Sequence, residues 1–334
     1  MKVTLAYNLK KEDLGKPADY FSEYDNIATI RAIVSALESK GHCVSLLDVE
    51  SQDPFSYFRN NPTDMVFNIA EGRDTQFRES EIPAILDILS IPHTGSSALS
   101  LAIALDKAMA KKILLSEGLP TPKFQIFTRG DEELDPGLHF PLIVKPNREG
   151  SSKGIGNFSV VDTRAGLYQV IKEVIDKYRQ EALVEEFIAG KELTVGIMQN
   201  GKITVLPILE IDFSSCQRSG EYFYSWRMKE YQGNHELGLT PTFYCPARLD
   251  NDTEEKVKDA AVKAHKAIGC SDLSRVDIRL SNSGTPYILE INPLPGLDPQ
   301  VSNFTLMAKA AGFRYEDLIE SILLSALERQ EGCG

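Results

Sequence analysis

The stretch from Pro141 to Gly156, PLIVKPNREGSSKGIG, constrains the fold more than any other part of the sequence. An apolar run ends in Lys145, polar and small residues follow, and the chain turns apolar again in IGNFSVV. This pattern predicts two strands joined by a loop over residues 146–154. Glycine lets a backbone approach another group closely, and consecutive N–H groups in such a loop can bind an anion.

Hydroxyl and cationic side chains give this loop a composition suited to polyphosphate. Ser151 and Ser152 supply hydroxyl donors, while Lys145, Arg148 and Lys153 supply positive charge. The loop joins strand to strand and lacks the G-x-x-x-x-G-K-[ST] pattern, so it is not a Walker A loop. The glycine-rich loop of protein kinases follows the same logic. A flexible hairpin with a solvated tip fits this stretch, taken alone, equally well.

Acidic and amide side chains on a second hairpin, SRVDIRLSNSGTPYILEINPLPG, form the next candidate site. A two-residue turn at Ser283-Gly284 would place Asp277 opposite Glu290, with Asn292 on the same face as Glu290. Facing carboxylates are unfavourable without a cation between them, and this set of oxygens suits Mg²⁺. Alternatively, the face is solvated and neighbouring arginines neutralise the acids, namely Arg275 and Arg279.

A third feature lies between these two, in the segment ALVEEFIAGKELTVGI. Glu185 follows an apolar run, and Ile188 and Glu192 lie within the next seven residues. A strand that leaves its sheet here could offer backbone groups to the edge of an adenine, with carboxylates for its amino group and for ribose hydroxyls. A solvated turn is the alternative interpretation of this segment.

The composition excludes several classes of protein. With 334 residues, the chain can bury a large core and divide into two or three domains. A net charge of −12 argues against a surface for nucleic acid or anionic membranes. The apolar runs are too short for a signal peptide or a membrane span. Scattered cysteines indicate free thiols in a reducing cytoplasm, at Cys43, Cys216, Cys245, Cys270 and Cys333.

Strand and helix patterns alternate over the first hundred residues, which predicts a parallel α/β layer. A capping box of Ser22 and Asp25 is expected to begin the first helix. A linking helix over residues 98–117 would place Lys107 and Lys111 on one face. From residue 124 onwards, short strands and hairpins alternate with helices, and the last helix lies in YEDLIESILLSALERQ.

These features, in this order, resemble the ATP-grasp superfamily and, within it, the D-alanine–D-alanine ligase family. The similarity extends from about Pro92 to the C-terminal helix and is clearest in VKPNREGSSKGIG, VEEFIAGKELTVGI and LEINPLPGL. It implies a Rossmann-like pre-ATP-grasp α/β domain over 1–100, followed by a two-part α+β ATP-grasp fold. The central part would carry the glycine/serine loop over 101–190, and the C-terminal part the Mg²⁺ site over 191–334. The family also suggests a homodimer formed through the N-terminal domain.

The resemblance implies roles for individual residues. Those that would bind ATP are Lys107 and Lys145 at the phosphates, Ser151 and Ser152 over them, Glu185 and the Ile188 backbone at adenine, and Glu192 at ribose. Those that would bind two Mg²⁺ ions, or Mn²⁺ in their place, are Asp277, Glu290 and Asn292. Those that would act in catalysis are Lys229 at the transferred phosphate, Ser152 on the loop, and Arg275 with the Gly296 backbone at the oxyanion.

The implied reaction joins a carboxylate to an amine. The substrate carboxylate attacks the γ-phosphate of ATP, giving an acyl phosphate and ADP; the amine then attacks the acyl carbon and phosphate leaves. Lysines, an arginine and Mg²⁺ would stabilise the developing charge, and a closed loop would exclude water. No covalent enzyme nucleophile is needed. A nucleotide-binding regulator without activity is the alternative, although it would not need Asp277, Glu290, Asn292 and Arg275 together.

The sequence departs from the family pattern where amino-acid or peptide substrates would bind. The family loop G-G-x-S-x-E is absent, although Glu23 and Asp25 lie near its place. Glu71 stands where the family usually has histidine. Asp298 and Ser302 lie in the segment that is serine-rich in the family. These five residues are the candidates for substrate contacts.

Two of these departures add a carboxylate, which favours a substrate with an extra cationic group over two D-alanines. That group would be an amine or a guanidinium; an amine donor without a free carboxylate is a further option. Alternatively, Glu71 and Asp298 face solvent or pair with Arg73 and Arg78. A genuine D-alanine–D-alanine ligase of cell-wall synthesis is the alternative function within the family.

Overall fold

The first sheet of the computed structural model is parallel. The structure describes residues 1–11, 15–73 and 75–331, so Cys333 lies outside the described residues. The N-terminal elements are β1 (Lys2–Tyr7), α1 (Ile27–Ser39), β2 (Cys43–Asp48), α2 (Pro54–Asn60), β3 (Met65–Asn68) and α3 (Glu81–Leu89). The strand order is β2-β1-β3, and both pairings are parallel. The predicted parallel α/β layer is confirmed.

The first helix begins one turn later than predicted. Asn26 is its N-cap, and the Asn26 side-chain oxygen accepts a hydrogen bond from the Thr29 N–H at 2.9 Å. The Ser22 hydroxyl instead accepts a hydrogen bond from Trp226 Nε1 at 2.7 Å. The predicted capping box of Ser22 and Asp25 is therefore wrong, because a distant tryptophan holds the serine and asparagine caps the helix as well as serine does.

The second sheet is antiparallel and carries the glycine-rich loop. Its region contains α4 (Ala98–Leu105), α5 (Lys107–Ser116), β4 (Phe124–Phe127), β5 (Leu142–Pro146), β6 (Val160–Val161), α6 (Arg164–Tyr178) and β7 (Ala182–Glu186). The strand order is β4-β7-β5-β6, and α6 packs against it. The predicted strand pair forms, since β5 pairs with β6. However, β6 has two residues and follows a 3₁₀ turn over Asn157–Ser159, so it is shorter than predicted.

The predicted linking helix is interrupted at Asp106. This residue has an extended backbone and ends α4, and its side chain caps α5 by accepting a hydrogen bond from the Met109 N–H at 3.0 Å. Two helices replace the single one expected over 98–117. Lys107 and Lys111 nevertheless lie on one buried face of α5, as predicted.

The third sheet contains the acidic hairpin. Its region comprises β8 (Gly190–Asn200), β9 (Lys202–Val205), β10 (Leu209–Asp212), α7 (Trp226–Glu230), β11 (Thr242–Tyr244), α8 (Asn251–Ile268), β12 (Leu273–Ser281), β13 (Pro286–Asn292), α9 (Asn303–Ala310) and α10 (Tyr315–Glu331). The order is β11-β10-β8-β12-β13, with β9 paired to β8. Residues of α5 and α8 share one core with this sheet, while α9 and α10 join the core of α1 and the first sheet. Within the described ranges, no helix has the length and apolar character needed to cross a membrane.

The acidic hairpin reaches the predicted register by a different route. Asp277 lies opposite Glu290, as expected from a two-residue turn. However, Leu280 pairs with Pro286, so the turn itself is longer, and Gly284 there adopts a left-handed φ of +80°. A bulge at Leu289 then shifts the pairing by one residue and restores the register at Glu290. The two differences cancel at the acidic pair.

An arginine near the end of α10 ties the C-terminal helix to the N-terminal part of the chain. Arg329 Nη2 donates to Asp272 Oδ2 at 3.0 Å and to the His93 and Gly95 carbonyls at 3.0 and 3.2 Å. The Asp272 side chain is 1% exposed and also accepts a hydrogen bond from the Gly95 N–H at 2.8 Å. The arginine is therefore the cation that neutralises a buried carboxylate where three chain segments meet.

We expect Arg329→Met to lower the free energy of unfolding by about 2–3 kcal/mol, since it leaves Asp272 buried without its counter-charge. Chemical denaturation followed by circular dichroism measures the loss. Arg314→Met is the matched control, because Arg314 is exposed and pairs with exposed acids, and we expect it to change stability by less than about 0.5 kcal/mol. Equal stability of both variants would contradict a clamping role.

Candidate active site

Two adjoining cavities lie where the glycine-rich loop faces the acidic hairpin. The large cavity has a volume of about 440 Å³ and the small cavity about 210 Å³. The large cavity extends toward Lys145, Glu185 and Ile188, and the small cavity toward Glu71 and the start of α1. Residues that line both include Ser151, Lys229, Arg275, Glu290 and Gly296. The site is therefore assembled from all three sheet regions.

The glycine-rich loop crosses the boundary between the cavities. Ser151 and Ser152 have left-handed backbones, with φ of 51° and 56°, a conformation that costs free energy outside glycine. Ser152 Oγ donates to the Tyr224 carbonyl at 2.9 Å, and Lys229 Nζ donates to Ser151 Oγ at 2.7 Å. Contacts from the segment around α7 thus hold both serines in this conformation.

Lys145 is buried because an opposite charge lies beside it. Its ammonium group forms an ion pair with Glu185, and Lys111 Nζ lies 2.8 Å from the other oxygen of Glu185. Burial raises the pKa of Glu185, but the two lysines more than offset this and the net shift is downward. Burial lowers the pKa of Lys111 to about 8. Sequence analysis noted the spacing of Lys111 from Lys107 but assigned it no partner.

The acidic pair on the hairpin is neutralised by cations from two directions. Arg275 donates to both oxygens of Asp277, at 2.9 and 2.7 Å, and Lys107 Nζ lies 3.2 Å from Glu290 Oε2. Asp277 also accepts hydrogen bonds from Thr194 Oγ1 at 2.6 Å and from Asn292 Nδ2 at 3.1 Å. The alternative interpretation of this face is therefore half correct, since an arginine does pair with Asp277.

Glu290 is ionised although it is partly buried. Burial raises its pKa, but Lys107, Lys145 and Arg275 more than offset this and hold the pKa well below its usual range. The pKa of Lys229 is lowered as well, because burial and the charge of Arg275 both disfavour its protonated form. The centre of the site thus combines fixed carboxylate charge with several nearby cations, an arrangement suited to anionic groups and to metal ions.

The far wall of the large cavity is apolar and aromatic. Phe187, Ile188 and Phe223 line it, and the Arg279 guanidinium lies 5.1 Å from the centre of the Phe187 ring. Arg279 Nη2 is 3.5 Å from Glu192, so the second arginine of the hairpin pairs with this acid and not with Asp277. Burial raises the pKa of Glu192, and Arg279 only partly offsets the rise.

Comparison with known proteins places this geometry in a family. The family model described as D-ala D-ala ligase C-terminus matches residues 113–324. A D-alanine–D-alanine ligase of Desulforudis audaxviator is 34% identical over 303 residues, which cover 90% of this chain and 92% of that protein. The chain belongs to the D-alanine–D-alanine ligase family.

Two further likenesses extend over most of the length of this ligase. The uncharacterized protein y4sG of Sinorhizobium fredii is 36% identical over 310 residues, covering 91% of the chain and 88% of that protein. The crystal structure of D-alanine–D-alanine ligase from Bacillus anthracis complexed with ATP has a TM-score of 0.77 at 25% identity and covers 100% of both chains. The fold is the ATP-grasp fold, and the protein is a ligase that forms C–N bonds, as the sequence motifs predicted.

The acids predicted to contact substrate divide into two groups in this ligase. Glu23 and Asp298 are fully engaged by the protein: both Glu23 oxygens accept from Arg78 Nη2 at 2.8 Å. Asp298 accepts from Thr29 Oγ1 at 2.8 Å and from backbone N–H groups of its own loop, and its N–H donates to Ser302 Oγ at 3.0 Å. Among the described residues Asp298 forms no ion pair with Arg73 or Arg78, and protein hydrogen bonds hold both of its oxygens, so the alternative of solvent or arginine is not observed for Asp298.

Asp25 and Glu71 line the small cavity, together with Glu79, which sequence analysis missed. One carboxylate oxygen from each of Glu23, Glu71 and Glu79 lies within 4.8 Å of the others. Burial raises the pKa of Asp25 and of Glu79 to about 7 each, and burial with neighbouring acids raises the pKa of Glu71. Arg78 forms hydrogen bonds to both oxygens of Glu23, so the cluster of Glu23, Glu71 and Glu79 has more carboxylates than this one arginine neutralises.

We expect Lys111→Met to destabilise the ligase by about 3 kcal/mol, because Glu185 would keep only one of its two buried counter-charges. The double variant Lys111→Met with Glu185→Gln should lose less than the sum of the two single variants, since Lys111 and Glu185 interact directly in wild type. Thermal and urea unfolding of the two single variants and the double variant measure the coupling. Strictly additive effects would contradict an ion pair between these residues.

Proposed function

We propose that this ligase uses ATP with Mg²⁺ to convert a substrate carboxylate into an acyl phosphate and then joins it to an amine. The observation that carries the proposal is the position of Glu290: an ionised carboxylate that lines both cavities and faces a glycine-rich loop and three cations. ATP would occupy the large cavity, whose aromatic end suits adenine, and the amino-acid substrates would occupy the small cavity.

The residue roles implied by the resemblance are part of this proposal. Lys145 and Lys107 would bind phosphate oxygens, while Ser151 and Ser152 would cover them. The remaining proposed contacts are Glu185 and the Ile188 backbone to adenine, Glu192 to ribose, Lys229 to the transferred phosphate, and Arg275 with the Gly296 N–H to the oxyanion. The three-domain division at residues 100 and 190 belongs to the proposal as well, and so does a homodimer.

The oxygen donors present suit Mg²⁺, although not all of them are free. Both oxygens of Asp277 are hydrogen-bonded, twice by Arg275 and once each by Thr194 and Asn292. Glu290 has one oxygen, Oε2, 3.2 Å from Lys107 Nζ. Glu290, Asp277 and Asn292 would hold the ions, with Arg275 giving up part of its contact to Asp277. Mg²⁺ would neutralise phosphate charge when bound.

The residues of the chain itself supply the rest of the chemistry. Lysines at positions 107, 145 and 229 place positive charge where phosphoryl oxygens gain negative charge. Arg275 is oriented by its hydrogen bonds to Asp277, and the part of this contact that remains when Mg²⁺ binds would hold the guanidinium toward an oxyanion. The loop would exclude water from the acyl phosphate, which water would otherwise hydrolyse.

The proposed substrate carries a cationic group in addition to the reacting groups. Asp25, Glu71 and Glu79 line the small cavity and have raised pKa values because burial and neighbouring acids are not balanced by cations. An ammonium or guanidinium group in the cavity would supply the missing charge. Two plain D-alanines would leave this wall without a counter-charge beyond the α-ammonium of the first amino acid.

We expect Glu290→Gln to keep the fold and to lower turnover by about 100-fold or more, because it removes a charge proposed to hold Mg²⁺. ADP release is measured with Mg²⁺ over a screen of D- and L-amino acids, with thermal unfolding as the check on the fold. Near-normal activity of the variant would contradict the metal assignment, and absence of ADP release from wild type over the whole screen would contradict the ligase proposal.

The substrate proposal has a pH dependence with a defined sign. Asp25 and Glu79 have pKa values of about 7, so they are largely neutral at lower pH and become charged as pH rises. For a diamino or guanidino substrate, kcat/KM should therefore rise by about threefold to tenfold between about pH 6 and about pH 8, relative to D-alanine. Glu79→Gln should flatten this rise, while the exposed control Glu38→Gln should not. Preference for D-alanine at every pH would refute a cationic substrate.

A further inference from the structure

Arg78 connects the N-terminal region to the glycine-rich loop. It lies in the 3₁₀ turn before α3 and is 9% exposed. Its Nη2 donates to both oxygens of Glu23 at 2.8 Å and to Glu149 Oε2 at 3.2 Å, and its Nη1 donates to the Arg148 carbonyl at 3.1 Å. Four contacts therefore run from one guanidinium to two segments that are far apart in sequence.

Glu23 links Arg78 to the tip of the glycine-rich loop. Glu23 Oε1 accepts a hydrogen bond from the Gly150 N–H at 2.6 Å. A Cβ atom added at Gly150 would lie 2.5 Å from the same oxygen, so the loop backbone is as close to Glu23 as a residue without a side chain permits. Lys153 completes the network, with Nζ 2.6 Å from Glu149 and 3.6 Å from Glu23.

The network borders the small cavity, where the amino-acid substrates would bind, through only two of its members. Gly150 and Glu23 line the small cavity, whereas Arg78, Glu149 and Lys153 line neither cavity. The next residue along, Ser151, lines both cavities. Any displacement of Gly150 would therefore move the serine that separates the two compartments.

We infer that Arg78 is a positioning residue that fastens the glycine-rich loop to the N-terminal wall of the small cavity and thereby keeps water from the acyl phosphate. The inference rests on the proposed function. With the loop fastened, the acyl phosphate reacts with the amine; with the loop loosened, water attacks it, restores the carboxylate and releases phosphate. The ratio of phosphate released to C–N bonds formed reports which of these occurs.

The test compares this ratio between wild type and variants. In Arg78→Met we expect about three or more phosphates per bond formed, against one in wild type, because the loop loses four contacts. Arg78→Lys retains the charge but not the planar set of guanidinium N–H donors, so its ratio of phosphate to bonds formed should be intermediate. Gly150→Ala should raise the ratio of phosphate to bonds formed by a similar amount without removing any charge, since the added Cβ would displace Glu23. The controls Arg314→Met and Gly137→Ala should keep a ratio of one.

A second measurement does not depend on ligation. Trypsin cleaves after Arg148 and Lys153, which flank the tip of the loop, and we expect cleavage there to be about tenfold faster in Arg78→Met and Gly150→Ala than in wild type. Unchanged cleavage in a folded variant would overturn the inference, whatever the enzyme ligates. A ratio of one in both variants, with turnover merely reduced, would also overturn it. Absence of ADP formation by wild type over all substrates would instead refute the proposed function.

Discussion

The site depends on buried carboxylates that are each held by cations from another part of the chain. Glu185 on β7 pairs with Lys145 on β5 and Lys111 on α5, Glu290 on β13 pairs with Lys107, and Glu23 pairs with Arg78. Removing one partner of an ion pair inside a protein is unfavourable, because the remaining charge has no water to solvate it. Each pair therefore fixes the relative position of two segments more strictly than apolar packing alone would. The cavities lie between these pairs, so their shape follows from the pairing.

Local patterns in the sequence were sufficient to predict parts of the site that lie within one hairpin or one helix. Lys145 at the end of an apolar run is buried, and Asp277 lies opposite Glu290. The pairing of Asp277 with Glu290 was predicted from a two-residue turn, whereas the structure has a longer turn whose effect on the register the bulge at Leu289 cancels. Strand alternation constrains which residues share a face, but a bulge leaves no strong signal in composition. The division of the linking segment into two helices was not predicted, because the sequence pattern does not distinguish Asp106 as a helix cap from Asp106 as an exposed residue within a helix.

Contacts between distant segments could not be predicted from these patterns. Lys111 and Glu185 are 74 residues apart, and the helix periodicity that buries Lys111 does not say which strand it meets. Glu23 was expected to contact substrate because it lies near the place of a family acid, yet Arg78 occupies both of its oxygens. Ser22 likewise reads as a helix cap until Trp226 is brought to it from 204 residues away. In each case a partner that is distant in sequence decides the role of a polar side chain.

The same principle distinguishes the large cavity from the small cavity. Around the large cavity, Glu185 pairs with two lysines and Glu192 pairs with Arg279, so each of these acids has a cation before any ligand binds. In the small cavity, burial raises the pKa values of Asp25, Glu71 and Glu79, and the cations nearby do not offset the rise. A protein wall with excess carboxylate is neutralised either by protons or by a ligand, and these two compete. Under the proposed function, proton uptake at low pH and binding of a cationic substrate at higher pH would therefore be two outcomes of one electrostatic imbalance.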